Sequence, residues 1–184
     1  MKRVQRDELL DWVTYDERRS ELRRRSMAEK ERRRVAVGEH LVFLFETHAT
    51  VLYQIQEMMR AEKIVREADI LHEIETYNEL LGGPGELGCT LLVGVEDAAA
   101  RTEKLRAWIA LPEHVYVRGK DGRKIRARFD PRQRGEDRLS AVQYLKFRVG
   151  KDAPAAVGCD LPELAGESEL GTDQVRALEE DLRA

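Results

Sequence analysis

Cysteine is scarce in this 184-residue chain: two occur, Cys89 and Cys159, 70 positions apart. No Cys-x-x-Cys is present, and neither cysteine has a His at metal-ligand spacing. No stretch approaches the ~20 apolar residues that span a bilayer. The opening Met1-Lys2-Arg3-Val4-Gln5-Arg6-Asp7 lacks the apolar core of a secretory signal. The expected compartment is therefore the cytoplasm, where thiols stay reduced and the bland role for both is burial; a disulfide between them is left open. Histidine numbers four, so a multi-histidine metal site is hard to assemble. There is no Gly-x-x-x-x-Gly-Lys-Ser/Thr loop, no Gly-x-Gly-x-x-Gly, no Gly-x-Ser-x-Gly and no His-Glu-x-x-His. Gly82-Gly83-Pro84-Gly85 is interrupted by proline and opens no helix that would cradle a phosphate. Repeats and low-complexity segments are absent too.

What the chain has in quantity is charge, 36% of its residues against ~25% in ordinary soluble domains. The charge is segregated. Residues 1–34 carry 12 Lys/Arg against 8 Asp/Glu, and the remaining 150 carry 20 against 27. Between 118 and 134 stand Arg118, Lys120, Arg123, Lys124, Arg126, Arg128, Arg132 and Arg134, opposed only by Asp121 and Asp130, whereas the tail from Asp152 carries nine acids against Arg176 and Arg183. These segments could pair with one another, or a basic one could attract an anionic partner. A pI of about 5.9 and thin aromatic interleaving, with Tyr116 before the basic stretch and Phe129 within it, count against nucleic acid as that partner.

Periodicity predicts a polar helix over 7–34, with a possible break at Thr14-Tyr15-Asp16. Val35 to Glu46 changes to a period of two and predicts a strand, split at Gly38-Glu39. Thr47 or Thr50 can cap a helix carrying Val51, Ile55, Met58 and Met59 on one face. A return helix over about 66–81 completes a helical hairpin, which the glycine cluster ends. Cys89 to Val95 reads as a central strand, apolar on both faces. Asp97 caps a helix to about Ala110. Lys120-Asp121-Gly122-Arg123 joins a hairpin, Ser140 to Val149 is a further strand, Ala156-Val157 a short one, and Thr172 to Leu182 a last helix. The order predicts an α+β fold: a mainly antiparallel sheet of about five strands packed against a helical hairpin and flanking helices. Three parts are expected: a charged helical segment over 1–34, an α+β core over 35–165 and an acidic C-terminal helix over 166–184.

The densest unusual chemistry lies between Phe45 and Asn78. On a helix, Thr50, Gln54 and Glu57 share one stripe, and Tyr53, Glu57 and Arg60 an adjacent one. Polar groups at the edge of the core need partners, which Glu46, at a strand end, and Tyr77-Asn78, at the end of the return helix, can supply. The candidate ligand-binding set is Glu46, Gln54, Gln56, Glu57, Arg60, Tyr77 and Asn78: carboxylates as metal ligands or acid–base groups, amides orienting a substrate. The same residues also suit a structural polar network tying the hairpin to the sheet. His72 with Glu75 and Glu79 shares an exposed helical face, which can hold a metal or simply be solvated. His40 and His48 flank Glu46 and read first as satisfied or exposed residues. The basic stretch 118–134 either tracks phosphates or protects a sheet edge.

Several strings together carry a family resemblance: Arg32-Arg33-Arg34-Val35-Ala36-Val37-Gly38, Leu44-Phe45-Glu46, Tyr53-Gln54-Ile55-Gln56-Glu57-Met58, Arg60-Ala61-Glu62-Lys63-Ile64, Glu75-x-Tyr77-Asn78-x-Leu80 and Ser140-Ala141-Val142-Gln143-Tyr144-Leu145-Lys146-Phe147. Over residues 5–165 the chain resembles the bacterial domain-of-unknown-function 3501 family, the Gln-Ile-Gln-Glu-Met block being the most specific. The resemblance implies a cytoplasmic bacterial protein of unassigned activity. It also implies genes that neighbour those of rubrerythrin-like and iron–sulfur oxidoreductases, hence redox or oxidative-stress physiology. The family pattern carries a His where Gln143 stands and Asp-His-Pro where Asp160-Leu161-Pro162 stands, so any role of those histidines is altered here. Two functions follow as expectations. One is a polar carboxylate/amide pocket serving redox metabolism as an enzyme or metal-binding accessory. The other is a non-enzymatic adaptor that docks an oxidoreductase through the basic N-terminal helix and the 118–134 hairpin. Catalytic residues, cofactor and oligomeric state have no signal in the sequence.

Overall fold

Alternation of apolar side chains decides the framework. The computed structural model describes every residue except Arg134 and Glu136, and of Arg132 the backbone alone. After a 3-10 turn at Arg6–Glu8 the elements run α1 (Trp12–Glu31), β1 (Arg34–Val37), β2 (Leu41–Phe45), α2 (His48–Glu62), α3 (Glu67–Asn78) and β3 (Glu86–Val93). They continue with α4 (Ala98–Ala107), α5 (Leu111–His114), β4 (Val115–Arg118), β5 (Lys124–Arg126), β6 (Val142–Arg148), β7 (Ala156–Cys159), β8 (Gly166–Glu169) and α6 (Thr172–Arg183). The break near the N-terminus falls before Thr14, not at it. Asp11 caps α1 by accepting from the Thr14 backbone N–H at 3.0 Å and from its hydroxyl at 2.6 Å, which makes Thr14 part of the helix start.

The α+β class and the antiparallel pairing are as expected, with the strands shared between two four-stranded sheets of order β1-β2-β3-β6 and β5-β4-β7-β8. The sheets meet along both edges. Beyond β5, Arg128 and Lys146 exchange backbone hydrogen bonds of 2.8 Å with each other. At the opposite edge the Ser168 hydroxyl donates to the Ala36 carbonyl at 2.6 Å and the Gln174 amide donates to the Arg34 carbonyl at 2.6 Å. Between the sheets lies the main core, to which Phe43, Phe45, Leu91, Leu145, Phe147, Val117, Val157 and the α6 residue Leu178 all contribute. β8 has no hydrophobic signature: Gly166-Glu167-Ser168-Glu169 is an edge strand, held by its backbone pairing to β7, and period-two reading cannot find it.

The other face of the first sheet is covered by α2 and α3. A second core of Val51, Ile55, Met59, Ile70, Ile74 and Leu81 lies in this helical layer, together with Val4 and Leu9 of the N-terminal strap. Burying a Val or Leu side chain contributes about 1.5–3 kcal/mol, so these two residues are the strap's main apolar attachment. α1 packs outside α2 and is tied to α6 at its far end. There the buried Arg33 guanidinium donates twice to Asp181, at 2.8 and 2.9 Å, and also to the Glu29 carboxylate at 2.5 Å and the Glu29 carbonyl at 3.1 Å. Burial pushes the Asp181 carboxyl up and the facing guanidinium pulls it back down. Among the described residues no helix is long and apolar enough to cross a membrane.

The helical layer approaches β3 at Gly88, where an added Cβ would lie 1.8 Å from the Leu80 carbonyl oxygen. Gly88→Ala is therefore expected to cost about 3 kcal/mol or more in urea unfolding. Gly38→Ala, in open space at a φ of +59°, is expected to cost only about 1–2 kcal/mol.

Candidate functional site

Glu46 leaves β2 at the start of α2 and is buried there. Thr47 caps α2, and its backbone N–H donates to the Thr50 hydroxyl at 2.9 Å. The Thr50 hydroxyl in turn donates to Glu46 Oε2 at 2.5 Å, and the Thr90 hydroxyl on β3 donates to Oε1 at 2.6 Å. Both carboxylate oxygens thus meet fixed hydroxyl donors, which is what makes burial of the group tolerable. Lys30 of α1 lies over the Tyr53 ring, 5.6 Å from its centre. Burial pushes its ammonium down and the Glu46 charge offsets part of that shift.

Tyr144 on β6 stands opposite Thr90 in the register of the first sheet. Beside it opens a cleft of about 670 Å³ between β6, the segment around Phe129 and the end of α3. Tyr77 and Tyr144 bring two phenols to it and Phe129 a third ring. Arg3, Arg128 and Lys146 supply cations along the strap and sheet, and Glu73 of α3 and its C-cap Glu79 supply carboxylates. Arg128 reaches Glu86 at 3.2 Å, whereas Arg3 and Lys146 have no side-chain partner among the described residues. Burial and the Glu46 charge push the Tyr144 phenol up. Burial pushes Tyr77 up as well, partly offset by the nearby Gln54 amide. Both therefore keep their hydroxyl protons at neutral pH and can donate.

The expected site residues divide into three groups. Glu46 bonds Thr90, whose neighbour across the strands, Tyr144, lines the cleft with Tyr77, and Gln54 lies near Tyr77. Gln56 and Asn78 face the strap. The Gln56 amide accepts from the Leu10 backbone N–H at 2.6 Å and donates to the Leu10 carbonyl at 3.3 Å. The Asn78 amide does the same with Val4, at 2.8 and 3.0 Å. Each amide thus completes one buried or half-buried backbone residue, as a neighbouring strand would. Glu57 and Arg60 face α1. Glu57 accepts from Arg19 Nε and Nη2, both at 2.8 Å, and from the Tyr15 hydroxyl at 2.6 Å, while Arg60 donates to Asp16 at 2.6 Å.

Among the described residues no group of three or more His, Cys, Asp or Glu side chains is placed to hold a metal ion. His72 and Glu75 of α3 and Glu79, which caps its C-terminus, are exposed. His40 bonds the Gly94 carbonyl at 2.8 Å, and His48 lies between the Lys2 carbonyl and Glu8. In the basic hairpin Arg118 pairs with Glu167 and Glu169, Lys120 with Glu179, Lys124 and Arg126 with Asp160, and Arg128 with Glu86. Arg118, Lys120, Lys124 and Arg126 are therefore neutralised by the acidic tail; the Arg132 side chain and Arg134 lie outside what is described. Asp160 also meets His114 at 3.1 Å, and the Arg126 guanidinium holds its carboxyl well below the usual carboxylate range. Gln143 is buried in the main core with its amide oxygen unpartnered.

Sequence reasoning missed Tyr144, Lys146, Phe129 and Arg3 as cleft residues. The first two carried a signal, since they alternate with core-facing Gln143, Leu145 and Phe147 and must point to the opposite face of the sheet. Phe129 and Arg3 reach the cleft through irregular segments that have no periodicity.

Two antiparallel sheets closed around a core, with a helical layer and strap over one outer face, define an α+β protein. The family model described as "Protein of unknown function (DUF3501)" matches residues 3–182, and the chain belongs to that family. It is similar to the crystal structure of a novel protein of unknown function from Burkholderia pseudomallei K96243, with 30% identity and a TM-score of 0.91 over 98% of this chain and 100% of that one. No curated protein matches the chain.

Asn78→Ala is expected to release the strap, leaving the Val4 backbone unpaired at a cost of about 1–3 kcal/mol. Limited proteolysis should then cut within the first ten residues faster than in the parent. Glu57→Gln is expected to loosen α1 by about 1–2 kcal/mol, because the pair is only half-buried. The folded Glu57 carboxyl is held low by Arg19, so its contribution is complete above the unfolded value near ~4.3 and fades as pH falls through the folded one. Acid unfolding of Glu57→Gln should accordingly show a shallower loss of stability below about pH 4.3 than the parent.

Proposed function

We infer that the protein binds a small polar heteroaromatic molecule in the cleft between β6 and α3. One observation carries this reading: two phenols and the Phe129 ring line one concavity, together with Arg3 and Lys146, which have no side-chain partner among the described residues, and the carboxylates of Glu73 and Glu79. Aromatic walls supply stacking area and the phenols donate hydrogen bonds, while opposed charges orient a molecule whose edges differ in polarity. Glu46 acts behind Tyr144 through Thr90, and Gln54 positions Tyr77. The redox or oxidative-stress part of the reading draws on the family resemblance. Heteroaromatic molecules are the class to which many redox cofactors belong, which makes the two parts compatible. Whether the protein serves as an enzyme or as an accessory is decided by what the ligand does once bound.

The adaptor alternative, docking an iron–sulfur or rubrerythrin-type oxidoreductase, keeps one basic surface. The hairpin cations are paired internally, but Arg18 and Arg24 on exposed positions of α1 have no ion-pair partner among the described residues. Loss of co-purification on charge reversal at these two positions favours docking; persistence at high salt counts against it.

Native mass spectrometry of the protein from its own cells tests the cleft. A small heteroaromatic should accompany the parent protein and be lost from a Tyr77→Ala/Tyr144→Ala variant that still melts cooperatively. Removal of one stacking ring is expected to weaken binding about tenfold. Equal retention by parent and variant excludes the cleft as the site.

A further inference from the structure

A second concavity, of about 330 Å³, lies between α1 and α2 and shares no lining residue with the cleft. Leu10 of the strap, Tyr15 and Leu22 of α1, and Leu52 and Tyr53 of α2 make its walls. Its size is at the lower end of the ~300–1,000 Å³ of small-molecule sites, and its lining is mostly apolar as theirs is.

Two of the polar groups in its lining have no partner among the described residues. Ser26, also in the wall, is only 5% exposed, and its hydroxyl has no hydrogen-bond partner. A serine inside a helix either faces solvent or donates to the carbonyl four residues earlier; this one does neither, and a buried hydroxyl left unpaired is destabilising. The second feature is Arg18. The other charged groups around the groove are engaged: Glu29 with Arg33, Glu8 with Lys2, and Arg25 with Glu21. Arg18 alone of these has no ion-pair partner among the described residues. It precedes Ser26 by eight residues on α1, a rise of about 12 Å.

We propose that this groove binds an elongated amphiphilic carboxylate, a medium-length aliphatic acid carrying a terminal oxygen function. The carboxylate pairs with Arg18, the chain lies along Leu22 and Leu52, and the distal oxygen meets the Ser26 hydroxyl. The ligand thereby supplies the partner that the fold withholds from Ser26, and the apolar walls supply the remaining affinity.

Isothermal titration with 10-hydroxydecanoate tests this, with decanoate and decyltrimethylammonium as comparisons. The hydroxy acid should bind the parent protein more tightly than decanoate, and the ammonium should not bind. Ser26→Ala should weaken the hydroxy acid about fivefold and leave decanoate unchanged. The same variant should raise the Tm of the free protein, because it removes an unpaired buried hydroxyl, so a serine with only a packing role would change Tm and not the preference between the acids. Arg18→Glu should weaken both acids about tenfold, and Leu52→Trp should fill the groove and abolish binding. Tyr144→Ala should leave titration of the hydroxy acid unchanged, which separates this groove from the cleft.

Three results overturn the proposal. One is absence of binding of the hydroxy acid at millimolar concentration. Another is equal binding of the ammonium amphiphile. The third is a self-associated protein in sedimentation that Leu52→Trp dissociates, which would assign the groove to a second copy of the chain.

Discussion

Every layer of the molecule answers to one constraint: the first sheet must be covered on both faces. β3 is buried along most of its length and pairs with β2 on one side and β6 on the other. A strand of that kind leaves its alternate side chains in two separate interiors. Phe43, Phe45, Leu91 and Phe147 fill the interior shared with the second sheet, which closes through Arg128 and Ser168 at its edges. The other face carries Thr90 and Tyr144 and falls to the helical layer. Because α2 and α3 meet a face with hydroxyls and a carboxylate at its margin, part of that seam is polar, and the hydroxyl donors around Glu46 satisfy it. The cleft opens at the edge of this seam, where Tyr144 emerges.

The polar residues that stand out in the sequence follow from the same geometry. Gln56 and Asn78 do what an adjacent strand would do, each closing both hydrogen-bonding groups of one strap residue. The strap has no strand partner, yet Val4 and Leu9 must enter the second core, so their backbone neighbourhood has to be paired on the way in. Arg33 plays a related part at the far end of α1. A guanidinium buried with two carboxylates holds α6 in register against α1, and a lone partner of such a pair would be costly to leave unpaired.

Much of this was legible in residue order. The period-two run from Val35 to Phe45, its turn at Gly38, the Thr47 cap and the Asp121-Gly122 hairpin have local causes, and the structure shows them at those places. The division of strands between two sheets was not legible, because it depends on which edges meet, and the residues at those meetings, Arg128, Ser168 and Gln174, are polar and unpatterned. The site was half legible. The concentration of amides and carboxylates from Glu46 to Asn78 marks where several elements converge. A helix, however, distributes residues around its axis. Gln54, Gln56 and Glu57 of α2 therefore serve three different neighbours: Tyr77, the strap and α1. Composition identifies the seam, and only the rotation of α2 decides which of its polar groups turn toward open space.

The charge segregation has a similar resolution. A chain with basic segments and an acidic tail invites a reading in terms of an external anion, yet Arg118, Lys120, Lys124 and Arg126 meet acids from the C-terminal third. Most of these pairs are partly exposed, and each contributes little to stability. Their effect is on long-range potential: paired cations no longer project a field far beyond the surface. Among the described cations without an ion-pair partner, Arg3 and Lys146 stand at one concavity and Arg18 at the other. The strap supplies Arg3 to the first and Glu8 and Leu10 to the second. The two amide clamps that seat the strap therefore shape both concavities at once, so the residues that read as ligand contacts in the sequence act one step back from any ligand, by fixing the walls it would touch.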